Sequence, residues 1–162
     1  MVDDTKLRVL LADDEEAIVH VYSVGLGYYF APSDSLPPDE VDALEDELYG
    51  RTEDERPRAE LTMCRQGAEA VQLVREALDA GEPFDVVVLD IRMPPGIDGV
   101  EAARQIRDLM PEVQILFVSG FSDYGRADLE KLVPPAANMD YIEKPVRLSE
   151  LADKIIAAYE RA

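Results

Sequence analysis

Three aspartates, a serine and a lysine carry the chemistry this sequence suggests. Asp90 closes the run Phe84-Asp85-Val86-Val87-Val88-Leu89, and Ile91-Arg92-Met93-Pro94-Pro95-Gly96-Ile97-Asp98-Gly99 follows it. Asp13 and Asp14 close Lys6-Leu7-Arg8-Val9-Leu10-Leu11-Ala12, Ser119-Gly120 follows Val113 to Val118, and Lys144-Pro145 follows Met139 to Glu143. Each group therefore sits at the end of a short apolar run. Carboxylates about 4 Å apart repel by roughly 1 kcal/mol in water and roughly 4 kcal/mol at an effective dielectric near 20, so gathering three of them calls for a cation. Mg²⁺ takes oxygen ligands and keeps several waters, and the Lys144 ammonium is a compact charge suited to a phosphoryl oxygen. A carboxylate can accept a phosphoryl group to give an aspartyl phosphate, a transfer that depends on charge neutralisation and positioning. A lone acid at a strand end can equally cap the next turn, and Glu15 and Glu16 suit the first turn of a helix for dipole reasons. What all four strand ends carry together decides between these readings.

The elements that position these groups follow from hydrophobic periodicity. Short apolar runs bounded by turn residues read as strands buried on both faces: Lys6–Ala12, Phe84–Leu89 and Val113–Val118, with Glu60–Cys64 and Met139–Glu143 weaker. Pro94 and Pro95 offer no N–H to a ladder, so the central strand stops and leaves Asp90 at the mouth of a loop. Helices are predicted over Glu16–Phe30 (Ile18, Val21, Tyr22 and Leu26 inward), Gly67–Ala80, Gly99–Met110, Asp123–Val133 and Leu148–Ala162. His20, inside the first helix, reads as a packing or surface residue. Strands and helices alternate, which predicts a parallel sheet covered on both faces with right-handed crossovers. In such sheets ligands bind outside the carboxyl ends of the strands. The stretch Ala31–Ala59 breaks the rhythm with four prolines and many acids; within it Val41, Leu44 and Leu48 suggest a short helix from Asp39 to Tyr49. Such an insertion either packs a few leucines on the domain or binds a partner.

Bulk properties narrow the class. A chain of 162 residues with 47% hydrophobic content suits one globular domain spanning residues 1–162. A net charge of −19 argues against unspecific nucleic-acid binding and against an anionic membrane surface. One cysteine, Cys64, excludes a disulfide framework and fits a reducing cytoplasm; one histidine and one cysteine make a zinc site of the usual ligands improbable. No apolar run reaches the length of a membrane span, and Met1-Val2-Asp3-Asp4 has no signal-peptide pattern.

The order Asp13-Asp14, Asp90 with Met93-Pro94 and Asp98-Gly99, Ser119-Gly120, and Tyr141 with Lys144-Pro145 resembles the receiver domain of two-component response regulators. The resemblance spans nearly the whole chain outside the insertion. It implies a flavodoxin-like, doubly wound five-stranded parallel sheet of order 2-1-3-4-5, with the short helical insertion added. It further implies Asp90 as phosphoacceptor. Asp13 and Asp14 then hold Mg²⁺, with Asp90 and the Arg92 backbone carbonyl contributing. Lys144 pairs with the acceptor and then with the phosphoryl group, Ser119 turns its hydroxyl to the phosphate, and Tyr141 moves with that shift. The Lys144–Pro145 bond is expected to be cis. The implied partner is a histidine kinase or phosphotransfer protein, and a homodimer through the fourth helix, last strand and closing helix is a further expectation.

Two features depart from the family pattern. The loop after Asp90 is one residue longer than usual, and the insertion at residues 31–59 replaces a short turn. No output segment is read after the closing helix, so the expectation is a stand-alone receiver or the receiver piece of a hybrid protein, not an enzyme beyond its own phosphorylation and dephosphorylation. Two other readings stay open on sequence. One is a receiver-like scaffold acting through its insertion. The other is a haloacid-dehalogenase-type phosphatase, which wants a second aspartate where Arg92 stands.

Overall fold

The computed structural model describes residues 6–30, 58–120 and 124–161. Within them, β1 (Leu7–Ala12), β2 (Ala59–Cys64), β3 (Val86–Asp90), β4 (Gln114–Ser119) and β5 (Met139–Glu143) form one sheet. The helices α1 (Glu16–Phe30), α2 (Gly67–Asp79), α3 (Gly99–Leu109), α4 (Arg126–Leu132) and α5 (Leu148–Arg161) alternate with the strands. The strand order is β2-β1-β3-β4-β5 and every pairing is parallel, the doubly wound order expected. The order reverses between β1 and β3, so the crevice at this switch point lies between the strands that carry Asp13 and Asp90.

Side chains that alternate along each strand feed two cores. Leu7, Val9 and Leu11 of β1, Val86 and Val88 of β3, and Leu116 and Val118 of β4 pack with α1 and α5. Leu10 and Ala12, Val87 and Leu89, and Ile115 and Phe117 pack on the opposite face with α2, α3 and Leu129 of α4. β3 and β4 are buried at every position, which explains their nearly unbroken apolar sequence. Asp98 caps α3, its carboxylate accepting the Glu101 N–H at 2.8 Å.

Three local expectations shift. The central strand begins at Val86 rather than Phe84, because Asp85 turns onto β1: its carboxylate accepts the Arg8 N–H at 2.8 Å and its own N–H donates to the Arg8 carbonyl. Val21, expected to face inward, is 49% exposed. The buried stripe of α1 runs Tyr22, Gly25, Leu26, Tyr29 and Phe30, and Val21 lies about 100° from its centre, beyond its Gly25 edge. The fourth helix begins at Arg126; Asp123 and the proposed helix at Asp39–Tyr49 lie outside the described residues. The Lys144–Pro145 bond is cis, as expected, and so are Pro94–Pro95 and Pro134–Pro135.

Candidate functional site

β1 ends at Ala12, paired with Leu89, and β3 ends at Asp90, paired with Val118. Asp13 and Asp90 therefore emerge side by side at the carboxyl edge. Ser119 ends β4 opposite Glu143, and the Lys144 N–H donates to the Ser119 carbonyl at 2.8 Å, which fixes where the lysine leaves β5. These backbone registers bring residues from four strands around one cleft of about 230 Å³, lined by Asp14, Glu15, Asp90, Arg92, Pro94, Ser119, Gly120 and Lys144.

Asp13 is the deepest acid, 1% exposed. Its Oδ1 accepts the Glu15 N–H at 3.0 Å and starts the turn into α1. Its Oδ2 accepts the Lys144 ammonium at 2.8 Å, while Asp90 Oδ2 lies at 3.4 Å and Glu15 Oε1 at 3.9 Å from the same nitrogen. Lys144 thus pairs with Asp90, and more closely with Asp13. Burial disfavours its charge, yet the hydrogen bond to Asp13 and the charges of Asp13, Asp90 and Glu15 outweigh this and hold it above the ordinary lysine range. Asp90 is 6% exposed. Burial, then the neighbouring Asp13 charge, push its carboxyl up to about 7 against the opposing pull of Lys144. A carboxylate so destabilised wants a further cation or an added electrophile.

Carboxylate oxygens of Asp13, Asp14 and Glu15 lie within 4.8 Å of one another. This all-oxygen donor set, beside a destabilised Asp90, fits a hard divalent cation. Asp13 and Asp14, read from the sequence as the Mg²⁺-holding pair, both belong to this cluster. Glu15 joins them, although its type and place at a helix start read as dipole compensation. Asp14 is also tied from just beyond β2: Arg65 Nη2 donates to its carbonyl at 3.2 Å. Arg92 lies exposed on the cleft rim and Ser119 is 3% exposed within it. Tyr141, at the middle of β5 and paired with Phe117, is half-buried against the α2–α3–α4 core, away from the cleft lining.

A family model of the response regulator receiver domain matches residues 51–156, from β2 through most of α5. The chain belongs to this family. The receiver match begins beyond β1, so Asp13 and Asp14 enter the site through the β1–β3 pairing rather than through the matched span. The sensor kinase CckA of Brucella abortus is 30% identical over 95 residues, which are 59% of this chain and 9% of the kinase. The response regulator receiver protein CpdR of the same organism is 30% identical over 95 residues, 59% of this chain and 72% of CpdR. This receiver chain thus spans less than two thirds of several curated relatives it matches, as little as 9% of one. A solved response regulator receiver protein from Sinorhizobium medicae superposes with a TM-score of 0.64 at 22% identity, covering 97% of this chain and 98% of that one. That last likeness bears on the fold, which it shares.

Proposed function

We propose that this receiver domain is a phosphorylation-controlled signalling switch whose acceptor is Asp90. The observation that carries the reading is the convergence of Asp90, Asp13 and Lys144, with Lys144 Nζ within 3.4 Å of Asp90 and 2.8 Å of Asp13. One carboxylate oxygen of Asp90 attacks phosphorus of the phosphodonor. A new P–O bond forms, the donor's bond to phosphorus breaks, and the leaving group takes that electron pair. Lys144 neutralises charge on the transferred group, and the Ser119 hydroxyl donates to one of its oxygens. Asp13 and Asp14, with Asp90 and the Arg92 carbonyl, would hold Mg²⁺, and Glu15 would offer a further oxygen donor. When bound, that ion supplies charge neutralisation at the acceptor and the incoming phosphoryl oxygens.

The phosphodonor is a histidine kinase or phosphotransfer protein in the cytoplasm. A phosphoryl group brings a charge of about −1.5 to −2 and three acceptor oxygens. Ser119 moves toward it, Tyr141 follows, and the face formed by α4, β5 and α5 changes its binding or its dimerisation. Residues 1–162 act as one receiver domain. The domain does no chemistry beyond gaining and losing its own phosphoryl group. Incubation with Mg²⁺ and acetyl phosphate followed by intact mass tests this: one added phosphoryl group is expected on the wild type and none on Asp90→Asn. Full labelling of Asp90→Asn would overturn the assignment.

A further inference from the structure

The loop after Asp90 is one residue longer than the family pattern, and the structure shows what holds the added length. Gln66 is the N-cap residue of α2, with extended backbone (φ −138°, ψ 149°), yet its side chain makes no capping hydrogen bond. Glutamine is a poor choice at that position, where serine, threonine, aspartate or asparagine would satisfy a free helix N–H. Instead, Gln66 Nε2 reaches across and donates to the carbonyl of Pro94 at 3.1 Å, within the lengthened loop. Pro94 has no N–H and is followed by Pro95, so neither residue can tie the loop down by donating.

The next residue makes the approach close. A Cβ on Gly67 would lie 2.9 Å from Ile97 Cγ1, 3.0 Å from the Ile97 carbonyl and 3.2 Å from Ala102 Cβ. The other end of the loop is fixed in the same manner. The Gly99 N–H donates to the Ile91 carbonyl at 2.7 Å, and a Cβ on Gly99 would collide with the Asp90 carbonyl oxygen. Two helix starts therefore close on the acceptor loop, α3 at its ends and α2 at its middle. A local preference is given up at Gln66 where the loop gains a support, a pattern expected near a functional site.

We propose that Gln66 is a positioning residue for phosphoryl acceptance: by holding the Pro94 carbonyl it fixes the path of the loop that joins Asp90 and Arg92 to α3. This rests on Asp90 being the phosphoacceptor. It gives α2, which carries no residue of the acid cluster, a part in setting the acceptor's rate.

The test compares wild type with Gln66→Ser and Gln66→Ala. Both remove the reach to Pro94, and Gln66→Ser supplies a better cap for α2. Melting temperature, hydrogen exchange at Arg92, Met93, Gly96 and Ile97, and labelling rate against acetyl phosphate concentration with Mg²⁺ are measured. Gln66→Ser is expected to melt at or above wild type. In both variants loop exchange quickens and the maximal labelling rate falls roughly three- to tenfold, short of the roughly hundredfold that a 1 Å misplacement can bring. The half-saturating donor concentration stays unchanged. Wild-type loop exchange, or a wild-type maximal rate, in the folded Gln66→Ser variant would overturn the proposal. Failure of the wild type itself to label would instead overturn the acceptor reading, and loop exchange would still decide whether Gln66 holds the loop.

Discussion

Removing the Asp90 carboxylate should stabilise the metal-free fold, and by an amount that depends on pH. Asp90 is held up to about 7 against an ordinary value of 3.8, chiefly by burial and by Asp13. The folded protein therefore binds this proton more tightly than the unfolded chain. As pH rises from about 4 through 7 the unfolded chain has already lost the proton, the folded state must give it up, and stability falls. The full difference corresponds to roughly 4 kcal/mol. Water in the cleft and the sharing of negative charge with Asp13 reduce it, so about 2 kcal/mol is expected. Asp90→Asn removes this titration and leaves Lys144 its closer partner, Asp13, at 2.8 Å. With chelator present, wild type and Asp90→Asn are unfolded by heat and by urea at pH 5, 6, 7 and 8. The advantage of Asp90→Asn should grow by about 1 kcal/mol from pH 5 to pH 8, the rest of the difference lying below pH 5, a melting difference of roughly 2–4 °C for a chain of this size. A gap that does not widen with pH, or a wild type more stable than Asp90→Asn at pH 8 without metal, would refute the electrostatic reasoning.

Mg²⁺ should reverse that ranking by raising the wild-type melting temperature, a ligand at about a hundred times its dissociation constant being worth about 2.7 kcal/mol; Asp14→Ala should lose most of the rise in a titration followed by calorimetry. Ser119→Ala should still be labelled at Asp90 but lose most of the change in hydrogen exchange over α4, β5 and α5, and equal changes with and without the serine would break the proposed coupling. Asp140 joins that face together, taking Arg126 of α4 at 3.0 Å and Lys154 of α5 at 3.1 Å. Burial works against its charge, but the Tyr141 N–H and these two cations hold it below the ordinary carboxylate range. Its contribution is therefore present above that range and lost as pH falls through the depressed value. Asp140→Asn should cost about 1 kcal/mol at pH 7 in urea unfolding, with the difference from wild type shrinking in acid.

Much of this was legible in the sequence because the strands that matter are buried on both faces. Val86 to Leu89 and Ile115 to Val118 can only be core strands, and the polar residue that ends each one must face the loop side. Asp98-Gly99 and Pro111 framed α3 in the same way. What the sequence concealed depends on tertiary placement. Lys144 and Asp13 are 131 residues apart, and only the sheet register shows that they form the tighter pair. Val21 fits an apolar helical face by type yet sits off the stripe, since α1 turns Gly25 toward Leu148. Glu15 reads as a helix-start acid because one residue can serve both the dipole and the acid cluster. Gln66 carries no motif at all; its weak capping propensity was the available signal, and its meaning needed the partner at Pro94.

The most direct measurement locates the label. Wild-type protein treated with Mg²⁺ and acetyl phosphate is reduced with borohydride, which converts an acyl phosphate to an alcohol, and is then digested and mapped by mass spectrometry. The expected result is a single reduced side chain, at position 90. Reduction at Asp13 or Asp14 in its place, a phosphoryl group retained on Ser119, or no labelled peptide at all would contradict the account.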